Sequence, residues 1–548
     1  MIDQLRCRSG LMAMLIAILV ACSPTTPVPT SLPSPVIAEP TATRTPTPTD
    51  APTPTGTPLP LPTLTPTAAP TEVARPDEGS TLERHRLAMR PGFAGDLEAL
   101  APLPHYSIEV TVNPKESLVR GSQVVSYVNR DTLPQTEVYF RLFPNLTAYG
   151  GEMTVSDVRV DGRTAWTDLL VEHTALRVPL PEPLGPGQRA VVELDFQILV
   201  PRQPFGYGQF VLDREIMALA NFFPLIPAFD RENCDRFGKC DGGWNIEYPV
   251  PYGDAVFSET ALFDLRVTAP AGWIVAASGS TIGRETNAAG DVTWHVVSGP
   301  MRDLNLVLSP RFQVSSTEID GITLRSYYLP EHEDGGTRVL EWAAAAMAFF
   351  DGRFGPYPFA EFDIVETPTV AGGIEYPGLI VMPIHSYEQS SFFFQWATVH
   401  EVAHQWWYSV VGNDQQDEPW LDEALAQYST ALFYESELGW SQVVDEVLRG
   451  YYQPLAGTDL DQSFSRPMEA YTESTYGPLV YGKGPLFFHA VRDRVGLDTF
   501  YQILQTYYST YRYQVAGGND WLEIADQIAQ EDLTSLYEEW IGEWSESR

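Results

Sequence analysis

The period of the apolar residues changes once along this chain, near residue 315, and no single-layer fold accommodates both halves. From Tyr106 to about Val314 the runs alternate or are short and β-branched: "YSIEVTVN", "QVVSYVN", "VYFRLF", "RAVVELDFQILV", "ALFDLRVTAP", "WIVAASGS" and "LNLVLS". Turn residues separate them, at Asn129-Arg130-Asp131, Gly185-Pro186-Gly187 and Pro270-Ala271-Gly272. That is the signature of strands with one buried face. After Ser315 a few strands remain ("TLRSYYL", "FDIVETP"), but helical stretches dominate: "TRVLEWAAAAMAFFDGRF", "FFFQWATVHEVAHQWWYSVV", "PWLDEALAQYSTALFYESEL", "GPLFFHAVRDRVG" and "TFYQILQTYYSTY". With 548 residues, 44% of them hydrophobic, the chain can bury more than one core. The expected fold class is α+β and multidomain: an N-terminal antiparallel β domain of saddle or sandwich type over 79–317, then a mixed α/β domain over 318–548 whose chemistry sits on helices.

The residues ahead of the β domain are of another kind. "MIDQLRCRSGLMAMLIAILVAC" places Arg6 and Arg8 before an apolar run, Leu11 to Val20, that is short for a membrane span. Its end, Leu19-Val20-Ala21-Cys22, resembles the lipobox of a bacterial lipoprotein signal, which implies a lipidated Cys22 as membrane anchor and residues 1–22 as the signal. An ordinary secretory signal with an incidental cysteine is the alternative. Residues 23–78, almost wholly Thr, Pro, Ser and Ala over most of their length, cannot bury enough apolar area to fold; they read as an extended, disordered tether. The net charge of −37 repels nucleic acid and anionic lipid headgroups, so no nucleic-acid partner is expected. The expected location is the bacterial cell envelope, facing outside the cytoplasm. Cys234 and Cys240, in "NCDRFGKCDGG", read most simply as a small-loop disulfide of an exported protein. A metal knuckle would need a second ligand pair that the neighbouring sequence lacks.

Within the helical half, "VHEVAHQWW" (Val399–Trp407) carries His400 and His404 four residues apart. On a helix these face the same way and can meet one ion. A catalytic zinc takes three protein ligands and leaves a position open for water. Glu423, nineteen residues after His404 at the start of the helical run "PWLDEALAQY", supplies a third ligand from a second helix. Glu401 lies about 100° round the helix from His400, near the ion but poorly placed to bind it, which suits a general base. The bland alternative is a helix whose histidines are hydrogen-bonded core groups.

These residues, read with two further stretches, resemble the gluzincin aminopeptidases of family M1, whose site is HExxH-x18-E. "GGIEYPG" (Gly372–Gly378) is similar to that family's GxMEN motif, and "STYGPLVYGKG" (Ser474–Gly484) to the stretch holding its catalytic tyrosine. The motifs stand in the family's order. The resemblance implies a thermolysin-like catalytic domain, one zinc per chain on His400, His404 and Glu423, and peptide substrates. It implies that Glu401 deprotonates the attacking water, that Tyr481 hydrogen-bonds the oxyanion, and that Glu375 binds the substrate's α-ammonium. Gly372 and Gly373, on what reads as an edge strand, would let substrate backbone pair closely. Tyr476 stands near the same pocket or packs in the core.

Two departures matter. Tyr376 replaces the asparagine of the GxMEN motif, and the sequence does not identify the second acidic or amide group that the family takes from its β domain; Glu215 is a weak candidate. The chain as given runs 67 residues beyond Tyr481, so the resemblance implies a short form without the family's helical C-terminal domain and with a more open cleft. The expected activity is that of a zinc metallopeptidase, foremost an aminopeptidase. An endopeptidase on the same zinc and a non-catalytic peptide-binding lipoprotein are the other two readings.

Overall fold

The computed structural model describes residues 78–100, 102–230, 243–389 and 391–541. The expected signal, Cys22, residues 23–77 of the tether, and Cys234 and Cys240 lie outside the described residues. Among the described residues no helix is long and apolar enough to cross a membrane.

The first half is built on an eight-stranded sheet. Its order is Ser280–Thr286, Val292–Val297, Leu262–Ala269, His105–Asn113, Leu118–Val128, Arg189–Leu199, Glu152–Val160 and Arg163–Thr164. Burial alternates strictly along Arg189–Leu199, with Ala190, Val192, Leu194, Phe196 and Ile198 facing the core. This is the period-2 pattern that marks a sheet with one covered face. The sheet is not purely antiparallel as expected: His105–Asn113 pairs in parallel with Leu262–Ala269. More than 140 residues separate those strands, and a local alternation pattern carries no information about which distant strand will lie alongside. A four-stranded antiparallel sheet, in the order Ile274–Ala277, Leu306–Ser309, Ile216–Leu219 and Phe210–Asp213, packs into the same core.

The second half begins within this strand series. Leu306–Ser309 belongs to the four-stranded sheet, whereas Gln313–Ile319 already pairs with Ile322–Tyr328 in a separate five-stranded sheet. The change of sheet falls between Ser309 and Gln313. The five-stranded sheet continues through Glu361–Thr367 and Leu379–Pro383 to the edge strand Ile374–Tyr376. The 22-residue helix Glu333–Phe354 packs on it, and its Phe350 and Phe354 meet Trp406 and Trp407 at ring distances of 5.6 and 5.2 Å. These rings fix where the next helix lies, and that helix carries the chemistry. The architecture is an N-terminal β-rich region followed by a mixed α/β domain.

Candidate metal centre and catalytic site

The helix Phe392–Ala403, here the histidine helix, starts where the Ser391 side chain accepts a hydrogen bond from the Phe394 N–H. An N-cap serine satisfies one of the donors that a helix start leaves open. The helix ends earlier than the apolar run suggests: His404 is its C-cap, and the chain turns through Trp407–Val411 instead of continuing. The i,i+4 relation survives. The glutamate helix Trp420–Glu437 follows, and every residue from Trp420 to Tyr434 is buried. A helix enclosed on all sides must satisfy its acids internally. Asp422 accepts from Asn413 Nδ2 at 3.0 Å and from Gln415 Nε2 at 2.7 Å.

The two helices bring three ligand atoms together. Nε2 of His400 lies 3.1 Å from Nε2 of His404, and Oε2 of Glu423 lies 3.1 and 3.3 Å from the two nitrogens. Ligands about 2.0–2.1 Å from a tetrahedral zinc would stand roughly 3.3 Å apart, so the triangle fits that ion. Nδ1 of His404 faces the Trp407 carbonyl at 3.0 Å, and a proton held there leaves the Nε2 lone pair for a metal. Charge agrees with geometry. Glu375, Glu401, Asp422, Glu423 and Asp254 crowd two imidazoles, and further overlapping groups form from Glu375, His404 and Asp422 and from Asp254, Glu375 and Glu423. Burial pushes the Glu401 and Glu375 carboxyls up to about 8, against the pull of His404. Burial and then the charge of Glu375 push Asp254 well up. Such a nest of acids favours a cation.

The remaining predicted residues gather round the triangle. Glu401 is 5% exposed and lies against the chain at Gly373: a Cβ built there would be 2.5 Å from Glu401 Cγ and from Oε1. Only glycine fits that position without displacing the carboxyl group. Gly372 is less crowded, its virtual Cβ 3.0 Å from the Phe393 ring tip. Glu375 sits mid-strand at the sheet edge, opposite Ile380, and its carboxyl is 3.5 Å from Gln415 Nε2. Its neighbour Tyr376 is buried and lines a small internal space with Ala218 and Leu306 of the β domain. The asparagine-to-tyrosine departure thus fills the domain junction. Gln405 ties this strand to the histidine helix, donating to the Tyr376 carbonyl at 3.1 Å and accepting from the Gly378 N–H at 2.9 Å.

Tyr481 lies in a π-helical turn, Pro478–Lys483, and donates its hydroxyl to Oε1 of Glu423 at 2.5 Å. π-turns inside helices concentrate at functional sites. Tyr476 packs edge-on against Tyr481 at 5.8 Å and against Tyr252, with its hydroxyl buried and unpartnered.

Sequence reasoning missed Asp254. It arrives on a β-domain loop, "YGD" at 252–254, that is clamped by Tyr252 Oη donating to the Tyr471 carbonyl at 2.9 Å and by Gln416 donating to the Asp254 carbonyl. A lone aspartate after Tyr-Gly in a turn carries no local signal of a site 120 residues downstream. Glu215, the candidate the sequence offered, is not brought in. It occupies a left-handed turn position (φ 63°) with a side chain 68% exposed, 3.9 Å from Arg311.

Comparison with known proteins agrees with this geometry. Residues 338–540 match the peptidase family M1 domain. Endoplasmic reticulum aminopeptidase 2 of Homo sapiens is 24% identical over 235 residues, covering 39% of this chain and 24% of that protein. Aminopeptidase M1-C of Oryza sativa subsp. japonica is 24% identical over 304 residues, covering 51% of this chain and 34% of that protein. The matches therefore span about a quarter and about a third of the lengths of these relatives. Among solved structures, an M1 zinc metallopeptidase from Deinococcus radiodurans superposes with a TM-score of 0.59 at 22% identity, over 80% of this chain and 94% of that one. A mutant of the same enzyme, bound to Tyr-ser-ala substrate, superposes with a TM-score of 0.57 at 21% identity, over 81% of this chain and 94% of that one. Its HExxH helix, its distal glutamate and its two-domain fold thus agree with the match of residues 338–540 to the peptidase family M1 domain.

Proposed function

We propose that this chain is an aminopeptidase that holds one zinc on His400, His404 and Glu423 and removes N-terminal residues from peptides outside the cytoplasm, held at the membrane by a lipidated Cys22. The observation that carries the exopeptidase reading is a pair of carboxyls, buried Glu375 and half-buried Asp254. They come from two different domains and meet beside the ligand triangle. After desolvation, the groups that act on Glu375 are His404 and three further carboxyls. A peptide's α-ammonium brings the positive charge that this corner lacks, and docking it there sets the first peptide bond over the metal. The Deinococcus enzyme with its bound tripeptide supports the same reading.

When bound, zinc activates a water and polarises the scissile carbonyl. Glu401 takes the proton from the attacking water and returns it to the departing amine. Tyr481, whose hydroxyl stands at the ligand triangle on Glu423, donates to the oxygen on which charge builds once substrate is bound. Gly372 and Gly373 leave the edge strand open to substrate backbone, and Gly373 keeps Glu401 in place.

The test is hydrolysis of a matched peptide pair, one with a free and one with an acetylated N-terminus. Wild type should cleave the free member far faster. Glu375→Ala and Asp254→Ala should each lower kcat/KM on the free peptide by about 10²-fold, because a misplaced substrate loses both affinity and orientation. They should do little to residual acetyl-peptide cleavage. Good wild-type activity on the acetylated peptide would favour the endopeptidase reading. Release of a Cys22→Ser chain from membranes tests the anchor.

A further inference from the structure

Tyr408 is a backbone outlier that follows the ligand His404 by four residues. It sits at φ 112°, a region that bulky L residues rarely adopt. It is buried, and its neighbours explain what that φ achieves. The peptide plane between Trp407 and Tyr408 turns with the φ of Tyr408. One edge of that plane is the Trp407 carbonyl, which meets His404 Nδ1 at 3.0 Å. The other edge is the Tyr408 N–H, which donates to the Val411 carbonyl at 2.7 Å. Two more backbone bonds, Ser409 N–H to His404 C=O at 3.0 Å and Val411 N–H to Trp406 C=O at 3.0 Å, close the turn. At an ordinary negative φ the Trp407 carbonyl would swing away from the histidine.

Something must hold the strained residue. Its hydroxyl donates to Oδ2 of Asp303 at 2.7 Å, and Asp303 belongs to the β domain and is fully buried. The other carboxylate oxygen of Asp303 accepts from Asn305 Nδ2 at 2.9 Å, so the anchor is itself fixed. A neutral imidazole offers a lone pair on one nitrogen only when the other carries the proton.

We propose that Tyr408 is a positioning residue for the metal centre: anchored by Asp303 of the β domain, it aims the Trp407 carbonyl at His404 Nδ1, fixes the proton there, and so leaves His404 Nε2 as the metal donor. The inference rests on the metal-centre reading above. It makes the β domain a contributor to metal affinity although it supplies no ligand.

The experiment is the zinc dissociation constant of the full chain, measured by competition with a chelator, alongside the melting temperature of the metal-free protein. Tyr408→Phe keeps the ring and loses the anchor; it should weaken zinc binding by about 10-fold or more, within the range that partners of metal-bound histidines command. Tyr408→Gly suits the positive φ and should fold, yet weaken zinc binding similarly because nothing pins the turn. Tyr149→Phe is the control, since Tyr149 donates to Asn221 at 2.9 Å in the same buried polar network without touching the turn; its zinc affinity should stay within about twofold of wild type. Wild-type affinity in both Tyr408 variants, or equal weakening in Tyr149→Phe, overturns the proposal. A wild-type chain that takes up no zinc overturns the metal-centre reading itself, a result distinct from unchanged affinity in the variants.

Discussion

In the proposed mechanism, single residues divide sharply between those that hold an ion and those that move protons. Glu423 keeps its carboxyl ionised despite burial, because the adjoining imidazoles of His400 and His404 outweigh desolvation. Glu401 is as deeply buried but has no such hydrogen bonds, so desolvation pushes it up to about 8. A group poised near neutral pH can both accept and return a proton. Glu401→Gln should therefore retain stoichiometric zinc and lose about 10²–10⁴ in kcat, read by metal analysis and steady-state kinetics. Tyr481→Phe should lower kcat by about 10²–10³ with little change in KM, because its contact strengthens as charge develops. Wild-type kcat in the phenylalanine variant would remove Tyr481 from the mechanism.

Among elements, the edge strand and the histidine helix work as one unit. Gln405 bonds the strand on both sides of its turn, and Gly373 gives Glu401 its room. The two glycines of the motif are not equivalent. At Gly373 a methyl group meets the Glu401 carboxyl itself, whereas at Gly372 it meets the tip of a phenylalanine ring that can yield. Gly373→Ala should lower kcat/KM by roughly 10²-fold with zinc content unchanged, since an ångström of displacement at the base suffices. Gly372→Ala should cost only a few-fold. The two variants, assayed side by side on one peptide, separate crowding of the base from general damage to the strand.

For the whole molecule, the β domain reaches the candidate site: Asp254 approaches Glu375 and Glu423, and Asp303 bonds Tyr408. Its stability also carries a pH signature. His85 and His105 pack edge-on at 5.3 Å, each with an unpartnered, buried Nε2. Burial lowers both, His105 to about 3, while Asp264 pulls the other way and Arg84 adds to the lowering. A histidine with a depressed folded value binds protons more readily unfolded. Its contribution is present above about 6.5 and is lost as pH falls towards 3. The melting temperature should fall between pH 7 and pH 4, and less steeply in His105→Phe. Identical slopes for the two proteins would mean that other groups set the acid sensitivity.

By itself the sequence determined whatever depends on neighbours along the chain. The i,i+4 histidines needed only helical geometry. Glu423 could be read because it opens the next helical run. The edge character of "GGIEY" followed from its glycines. The change from strand period to helix period located the two halves. Tertiary structure decided the rest, because it depends on residues far apart in sequence. The parallel pairing of His105–Asn113 with Leu262–Ala269 joins strands with no local mark of each other. The end of the histidine helix at His404 is set by a turn whose strained Tyr408 is held from the β domain. Asp254 reached the metal corner because a loop is clamped there by Tyr471 and Gln416, while Glu215, acidic and nearer the strands, stayed in solvent. Periodicity records which face of an element is buried, but only packing decides which distant side chains share that burial.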